Sequence, residues 1–206
     1  MTDECEHSDT TAQPPDWDAQ AAGFDDVPDH GLRDPAVRAA WAARLRSWLP
    51  GQPADVLDLG CGTGSLSLLA VEQGHRVTAV DLSPAMTERA RAKLAGHPAE
   101  VLCGPAETPP VGERRFDVVL VRHVLWMLPD QDRVLRHWRD LLRPGGRFVL
   151  VEGVWGELHP VGIAADRLTA LLEPLTAGAR VERLSGDAVL WGKEVRDERY
   201  AVVAGV

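Results

Sequence analysis

The sequence predicts an α/β fold with a doubly wound, mostly parallel sheet and helices on both faces. Short apolar runs alternate with segments of helical periodicity between residues 54 and 152. The first apolar run ends in glycines at positions 60, 62 and 64 and leads directly into a helical segment. Such a turn brings backbone close to a ligand at a helix N-terminus. Two β-like runs close the chain without a helical pattern between them, so we expect an antiparallel C-terminal hairpin there.

Composition favours one globular domain and excludes several classes of protein. The 206 residues are 45% hydrophobic and 26% charged, with a formal net charge of −9. The acidic balance argues against sequence-independent binding of nucleic acid. No apolar run reaches the roughly 18 residues of a membrane span, and the N-terminus lacks a secretory pattern. Cys5, Cys61 and Cys103 have neither metal-ligand nor disulfide spacing. We therefore expect a cytoplasmic protein with free thiols and no metal.

The N-terminal quarter divides into a tail, a lid and a helix. Residues 1–15 are acidic and polar, which predicts a disordered tail. Residues 16–50 are expected to form the lid and helix, and residues 51–206 the main domain. The helix is predicted from Pro35 to Leu49, with Asp34 as its N-cap. Its apolar face points to the core and consists of Val37, Trp41, Leu45 and Trp48.

Strands and helices then follow in alternation. Strands are predicted at about 56–59, 75–81, 100–103, 116–121, 147–152, 180–184 and 199–204. Helices are predicted after the glycine turn, from Ser83 to about Ala95, from Asp130 to the Gly145–Gly146 pair, and at about 161–175. The glycine turn and the carboxyl ends of the parallel strands should therefore meet at one edge of the sheet.

The stretch VLDLGCGTG, residues 56–64, is the motif that indicates the function most directly. It does not fit the dinucleotide spacing G-x-G-x-x-G, because serine stands at positions 65 and 67. It resembles the first motif, [DE]-x-G-x-G-x-G, of the class I S-adenosylmethionine (SAM) dependent methyltransferases. The resemblance extends over about residues 54–152. It implies a Rossmann-like, seven-stranded sheet whose last strand is antiparallel, with SAM as cofactor and S-adenosylhomocysteine as product.

The resemblance also implies which residues bind the cofactor. The glycine loop would approach the methionine part of SAM, and Asp58 would orient its amino group or, alternatively, satisfy the N–H groups of the loop. Asp81 ends the second strand, 21 residues after Gly60, and a carboxylate there can accept both ribose hydroxyls. The alternative for Asp81 is a helix-capping or turn aspartate. The cofactor residues expected in and after the first strand are Asp58, Gly60, Cys61, Gly62, Gly64, Asp81 and Arg122.

Adenine recognition is where this sequence departs from the family pattern. Leu82 and Met86 occupy the positions that pack on adenine in the family, although Met86 is equally compatible with the core. Pro105 replaces the acid that usually accepts from the adenine amino group. The segment containing Ala106 and Glu107 is expected at the adenine edge, with Glu107 as the candidate substitute.

His123 follows the fourth strand, where the family delivers the methyl group, and is the candidate catalytic base. A hydrogen-bonded structural histidine is the alternative. Trp126 is either a wall of the acceptor pocket or a core residue. We expect the lid to close over the acceptor through Trp17, Phe24 and the turn at 25–34, which contains His30. His159 is a further candidate at the mouth of the site.

These observations favour an enzyme that methylates an O, N or C nucleophile of a small molecule, without nucleic-acid or membrane partners, as a monomer or homodimer. A non-catalytic SAM-binding scaffold is a second hypothesis, favoured by Pro105. A nucleotide-binding oxidoreductase is a third, disfavoured by the glycine spacing.

Overall fold

The computed structural model describes residues 16–27, 29–156 and 160–206. They form one mixed sheet in the order β3-β2-β1-β4-β5-β8-β7, with the short β6 paired to β5. The strands are β1 Asp55–Leu59, β2 Arg76–Asp81, β3 Ala99–Cys103, β4 Phe116–Arg122, β5 Leu142–Trp155, β6 Val161–Gly162, β7 Gly178–Arg183 and β8 Glu198–Gly205. The first five strands pair in parallel, whereas β6, β7 and β8 pair antiparallel. The predicted α/β sheet and its antiparallel C-terminal hairpin are confirmed.

Helices cover both faces of the sheet. They are α1 Trp17–Gln20, α2 Pro35–Trp48, α3 Ser65–Glu72, α4 Pro84–Lys93, α5 Gln131–Asp140, α6 Ala165–Leu172 and α7 Ala188–Trp191. Side chains of α5 and α6 pack in one apolar cluster, and those of α2, α3 and α7 pack in a second cluster on the opposite face. No helix in these described ranges is both long and apolar enough to cross a membrane.

Helix α2 forms as its sequence predicts. Asp34 Oδ1 accepts from the backbone N–H of Ala36 at 2.7 Å, and the four apolar residues of the predicted face are buried. Trp41 also donates its indole N–H to the carbonyl of Leu190 at 2.8 Å. This bond ties α2 to α7 near the C-terminal end of the chain.

The structure changes several predicted boundaries. Helix α6 begins at Ala165 rather than near 161, because Val161 and Gly162 pair with β5 as an eighth strand. Strand β5 starts at Leu142, which pairs with Phe116 beyond a register shift. The connection between β7 and β8 contains the four-residue helix α7. The predicted disordered tail at 1–15, and His159, lie outside the described residues.

The strand order reverses beside β1, which pairs with β2 on one side and β4 on the other. Their carboxyl ends therefore diverge into a crevice at the switch point, the usual ligand site of open α/β sheets. The glycine loop between β1 and α3 lies at this edge.

Candidate functional site

A cavity of about 280 Å³ occupies the crevice. Five segments form its wall: the glycine loop, the start of α4, the segment after β3, the turn after β4, and the N-terminal segment before α2. Most of the residues predicted for the site line it together, namely Trp17, Phe24, His30, Asp58, Gly60, Cys61, Gly62, Asp81, Leu82, Met86, Ala106, Glu107, Arg122 and His123.

Two of the predicted site residues do not line the cavity. Gly64 is the N-cap of α3, where a Cβ would lie 3.2 Å from that of Ala90, so its place is in helix packing. Trp126 donates its indole N–H to the carbonyl of His123 at 3.2 Å, and its ring lies 5.7 Å from that of Trp155. It therefore packs behind the turn that carries His123.

The backbone of the glycine loop faces the cavity and is fixed by hydrogen bonds to β2. The N–H groups of Gly60 and Cys61 donate to the carbonyl of Val80 at 2.8 and 3.0 Å. Gly60 and Gly62 have φ of +68° and +54°, a region that L side chains rarely adopt. A Cβ at Gly60 would also collide with Val124, and one at Gly62 would lie 3.0 Å from the Phe24 ring.

Asp81 is oriented by backbone at the end of β2. Its Oδ2 accepts from the N–H of Gly62 at 2.8 Å, and its Oδ1 accepts from the N–H of Ser83 at 2.9 Å. Burial raises the pKa of Asp81. Because a carboxylate oxygen can accept two hydrogen bonds, each oxygen keeps one acceptor position for a ligand.

Asp58 lies deeper, at the end of β1. It is 3% exposed, and its Oδ2 accepts from the hydroxyl of Ser67 at 2.5 Å. Burial raises the pKa of Asp58 to about 6, and the charge of Asp81 contributes in the same direction. A ligand cation nearby would favour the ionised form of Asp58.

Arg122 brings a cation to the same cavity. Its guanidinium lies 4.1 Å from the centroid of the Trp41 ring and donates to the backbone carbonyl of Asp29. Its Nε is buried and has no hydrogen-bond partner among the described residues. Burial lowers the pKa of Arg122 to about 10, so it is still charged at neutral pH. A buried cation without a paired carboxylate favours an anionic ligand group.

His123 is held in an unusual backbone conformation, with φ of +59°. Its ring stacks on Trp191 at 5.9 Å and meets the edge of Trp155 at 4.9 Å. Its Nε2 is buried without a partner among the described residues. Burial and the charge of Arg122 hold the pKa of His123 well below its usual range. The imidazole is therefore neutral at pH 7, able to accept a hydrogen bond but weak as a base.

Aromatic side chains of the N-terminal segment cover the glycine loop. Phe24 stacks on His30 at 4.4 Å and meets Trp17 edge-on at 6.4 Å. Burial, and to a smaller extent the charge of Arg122, lower the pKa of His30 to about 4. Both imidazoles of the cavity are thus neutral.

Three carboxylates fasten this segment to the domain. Asp18 accepts from the N–H of Ala85 at 3.1 Å and from a serine hydroxyl. Asp25 accepts from the hydroxyl of Thr63 at 2.5 Å and pairs with Lys93 at 2.9 Å. Asp29 pairs with Arg199 at 3.0 Å and Lys193 at 3.1 Å. We call residues 16–27 and 29–34, which these contacts hold over the glycine loop, the lid.

Sequence reasoning missed several residues of the site. Thr63, Ser65, Leu66, Val124, Met127 and Leu128 also line the cavity. Lys93 and Glu152 support it from outside the lining. Glu152 had a signal in the sequence, because it is a lone acid inside an apolar strand that ends at the ligand edge. Lys93 had none, since nothing in the sequence pairs it with Asp25.

Comparison with known proteins agrees with this geometry. The model of a methyltransferase domain family matches residues 57–150, from β1 through most of β5. An uncharacterized methyltransferase of Mycobacterium tuberculosis is 40% identical over 115 residues, which are 55% of this chain and 46% of that protein. A malonyl-[acyl-carrier protein] O-methyltransferase of Pseudescherichia vulneris is 31% identical over 146 residues, 69% of this chain and 57% of that protein. The chain thus spans about half the length of the curated relatives it matches.

Among solved structures, the fold is similar to that of the 1,6-didemethyltoxoflavin-N1-methyltransferase of Burkholderia thailandensis, which contains bound 1,6-didemethyltoxoflavin and S-adenosylhomocysteine. The two chains align with a TM-score of 0.66 at 24% identity, covering 92% of this chain and 86% of the other. These comparisons support the family and the SAM cofactor that the glycine motif predicted. Residues 57–150 thus belong to a methyltransferase domain family, within a fold similar to that of solved methyltransferases.

Proposed function

We propose that this protein transfers the methyl group of SAM to an O, N or C nucleophile of a small molecule. The observation that carries the proposal is the convergence of Asp81, Asp58, Arg122 and His123 in one cavity under the lid. SAM supplies, when bound, a methyl group activated by a sulfonium. The chain's own residues supply binding, orientation and a chamber with little water.

The polar groups of the cavity match the polar groups of SAM. Asp81 has an acceptor position on each oxygen, which suits two ribose hydroxyls. Asp58 suits the ammonium group, because binding a cation favours its ionised form. Arg122 suits the carboxylate of the methionine part, since its buried cation has no acidic partner among the described residues. At the adenine end, Leu82 and Met86 offer apolar surface and Glu107 offers an acceptor in place of Pro105.

The acceptor end of the cavity has a different character. Phe24, His30, His123 and Met127 line it, and both imidazoles are neutral. Neither histidine is a strong base, which favours an acceptor that is already nucleophilic at neutral pH or loses its proton easily. We assign His123, which lines this end of the cavity, the role of orienting the acceptor.

Small-molecule acceptors are favoured because the lid lies across the cavity, leaving little room for a polymer. The names of similar proteins include an O-methyltransferase and an N1-methyltransferase, so they leave the acceptor atom open. The substitution at Pro105 is the one feature that favours the second candidate, a SAM-binding scaffold without turnover.

Calorimetric titration with S-adenosylhomocysteine and with NAD tests the cofactor, and turnover of labelled SAM over a panel of metabolites tests the reaction. We expect binding of S-adenosylhomocysteine, no binding of NAD, and methylation of at least one acceptor. Binding without turnover over the whole panel would favour the scaffold. A protein that ignores both SAM and its demethylated product at millimolar concentration would overturn the proposal.

A further inference from the structure

The turn after β4 is fixed from behind by a single buried carboxyl group. Glu152, in β5, is 0% exposed and does not line the cavity. Its Oε1 accepts from the N–H of Val124 at 3.0 Å and from the N–H of Leu125 at 2.8 Å. These are the two residues that follow His123.

The turn needs this support because of its backbone. His123 has φ of +59°, which a residue with a Cβ adopts only when its surroundings impose it. Its own N–H is bound to the carbonyl of Val151 at 2.9 Å, so Val151 and Glu152 together hold three successive N–H groups of the turn. Without the Glu152 oxygen, the two N–H groups would be buried without a partner.

Burying a carboxyl group costs free energy of folding, and Glu152 stands at a position where an apolar residue would fill the core equally well. Neighbouring β5 positions carry valine and leucine, and the second oxygen, Oε2, has no partner among the described residues. The two bonds to the turn are therefore the contacts through which Glu152 acts.

We propose that Glu152 is a positioning residue, which sets the turn after β4 so that His123 and Val124 face the acceptor end of the cavity. It touches neither cofactor nor acceptor and acts through the two backbone N–H groups. Its effect on turnover rests on the proposed methyltransferase function. Its effect on the turn does not, and can be measured on the ligand-free protein.

The test compares Glu152→Met with Glu152→Gln. Methionine keeps the core filled but offers no oxygen, whereas glutamine keeps an acceptor oxygen at nearly the same place. Asp117→Ala is the matched control, because Asp117 accepts from the N–H of Asp55 at 2.7 Å at the opposite end of β4. Hydrogen exchange of the Val124 and Leu125 amides is followed by NMR in all four proteins.

We expect exchange of both amides to be at least about tenfold faster in Glu152→Met, the loss of roughly one hydrogen bond, and to be near wild type in Glu152→Gln and Asp117→Ala. The indole rings of Trp155 and Trp191, which contact the His123 ring, shift the NMR signal of its imidazole through their ring currents. Its imidazole NMR signal, assigned by its absence in His123→Phe, should move in Glu152→Met only. With an acceptor from the panel, turnover should fall at least tenfold in Glu152→Met while the affinity for S-adenosylhomocysteine changes less than about twofold.

Unchanged exchange in Glu152→Met would overturn the proposal. Equal acceleration in Glu152→Met and Glu152→Gln would do so as well, because it would assign the effect to side-chain shape. If wild type binds no S-adenosylhomocysteine, the proposed function fails while the exchange result on the turn still stands.

Discussion

The two ends of the cavity are built in different ways. The cofactor end is built around β1, the glycine loop and the end of β2, which are joined by main-chain bonds to Val80 and by the bond from Gly62 N–H to the Asp81 carboxylate. The acceptor end consists of side chains from the lid, the turn after β4 and, behind them, β5 and α7. The comparison teaches that the proposed SAM site is encoded locally in the sequence, whereas the proposed acceptor chamber is formed only when distant segments come together in the folded molecule.

Asp81→Ala should have the largest effect, and this effect should be on binding at the cofactor end alone. We expect the affinity for S-adenosylhomocysteine to fall at least about tenfold, because two charge-assisted hydrogen bonds are lost. Calorimetry measures the affinity, with circular dichroism to verify the fold and Asp117→Ala as the control. An unchanged affinity would remove Asp81 from the binding site.

His123→Ala should lower turnover through its effect on the acceptor end. With an acceptor found in the panel, we expect turnover to fall about tenfold while the affinity for S-adenosylhomocysteine stays within about twofold. Turnover of wild type should also show no pH dependence from His123 between pH 6 and 8, since burial keeps its pKa well below that window. A fully active His123→Ala variant would return this residue to a structural role.

Acidification should affect the cofactor end through Asp58. Burial raises the pKa of Asp58 to about 6 in the free protein, so protons compete there with the ammonium group of the ligand. Affinity for S-adenosylhomocysteine should therefore fall severalfold as the pH is lowered from 7 to 5. Asp58→Asn should flatten this dependence. The same slope in wild type and variant would assign the pH effect to another group.

Lys93→Met should give the smallest effect, since it removes one partly exposed tie between the lid and α4. Burial alone would raise the pKa of Asp25, but hydrogen bonds from Thr63 and Lys93 lower it overall, so the carboxylate is charged. We expect S-adenosylhomocysteine to dissociate only about two- to fivefold faster, because the Thr63 hydroxyl still holds Asp25 after the ion pair is lost. Stopped-flow fluorescence measures this rate. Lys193→Met, which removes a second ion pair between the lid and the rest of the domain, serves as a comparison. An unchanged rate would show that Asp25 needs only its hydroxyl partners.

The sheet, the glycine loop and Asp81 were predictable because each depends on neighbours in the sequence. Apolar runs predict parallel strands, and Asp34, Ser83 and Asp130 predict the starts of helices through contacts within three residues. The two-residue β6 and the four-residue α7 were not predictable, because elements this short have no periodicity. Strand β6 forms through pairing with β5, and α7 packs on α2, which is distant in the sequence.

The acceptor end was predictable only in part. The lid aromatics and His123 were expected near the site, and they line the cavity. The sequence could not show whether Trp126 lines the cavity, because a shift of one residue in a short turn decides whether a ring faces the cavity or points away from it. The low pKa of His123 depends on its burial and on Arg122, and neither burial depth nor charge proximity is a property of the sequence pattern.

The aromatic neighbours of Arg122 and His123 have a consequence for transplanting the matched segment. Trp41, Trp155 and Trp191 all lie outside the matched segment 57–150, one before it and two after it. The segment 57–150 transplanted without its flanks would keep the glycine loop, Asp58 and Asp81 but would lose the aromatic rings that surround Arg122 and His123. Grafting other flanks onto it would thus change the surroundings of these two side chains while the glycine loop stays the same.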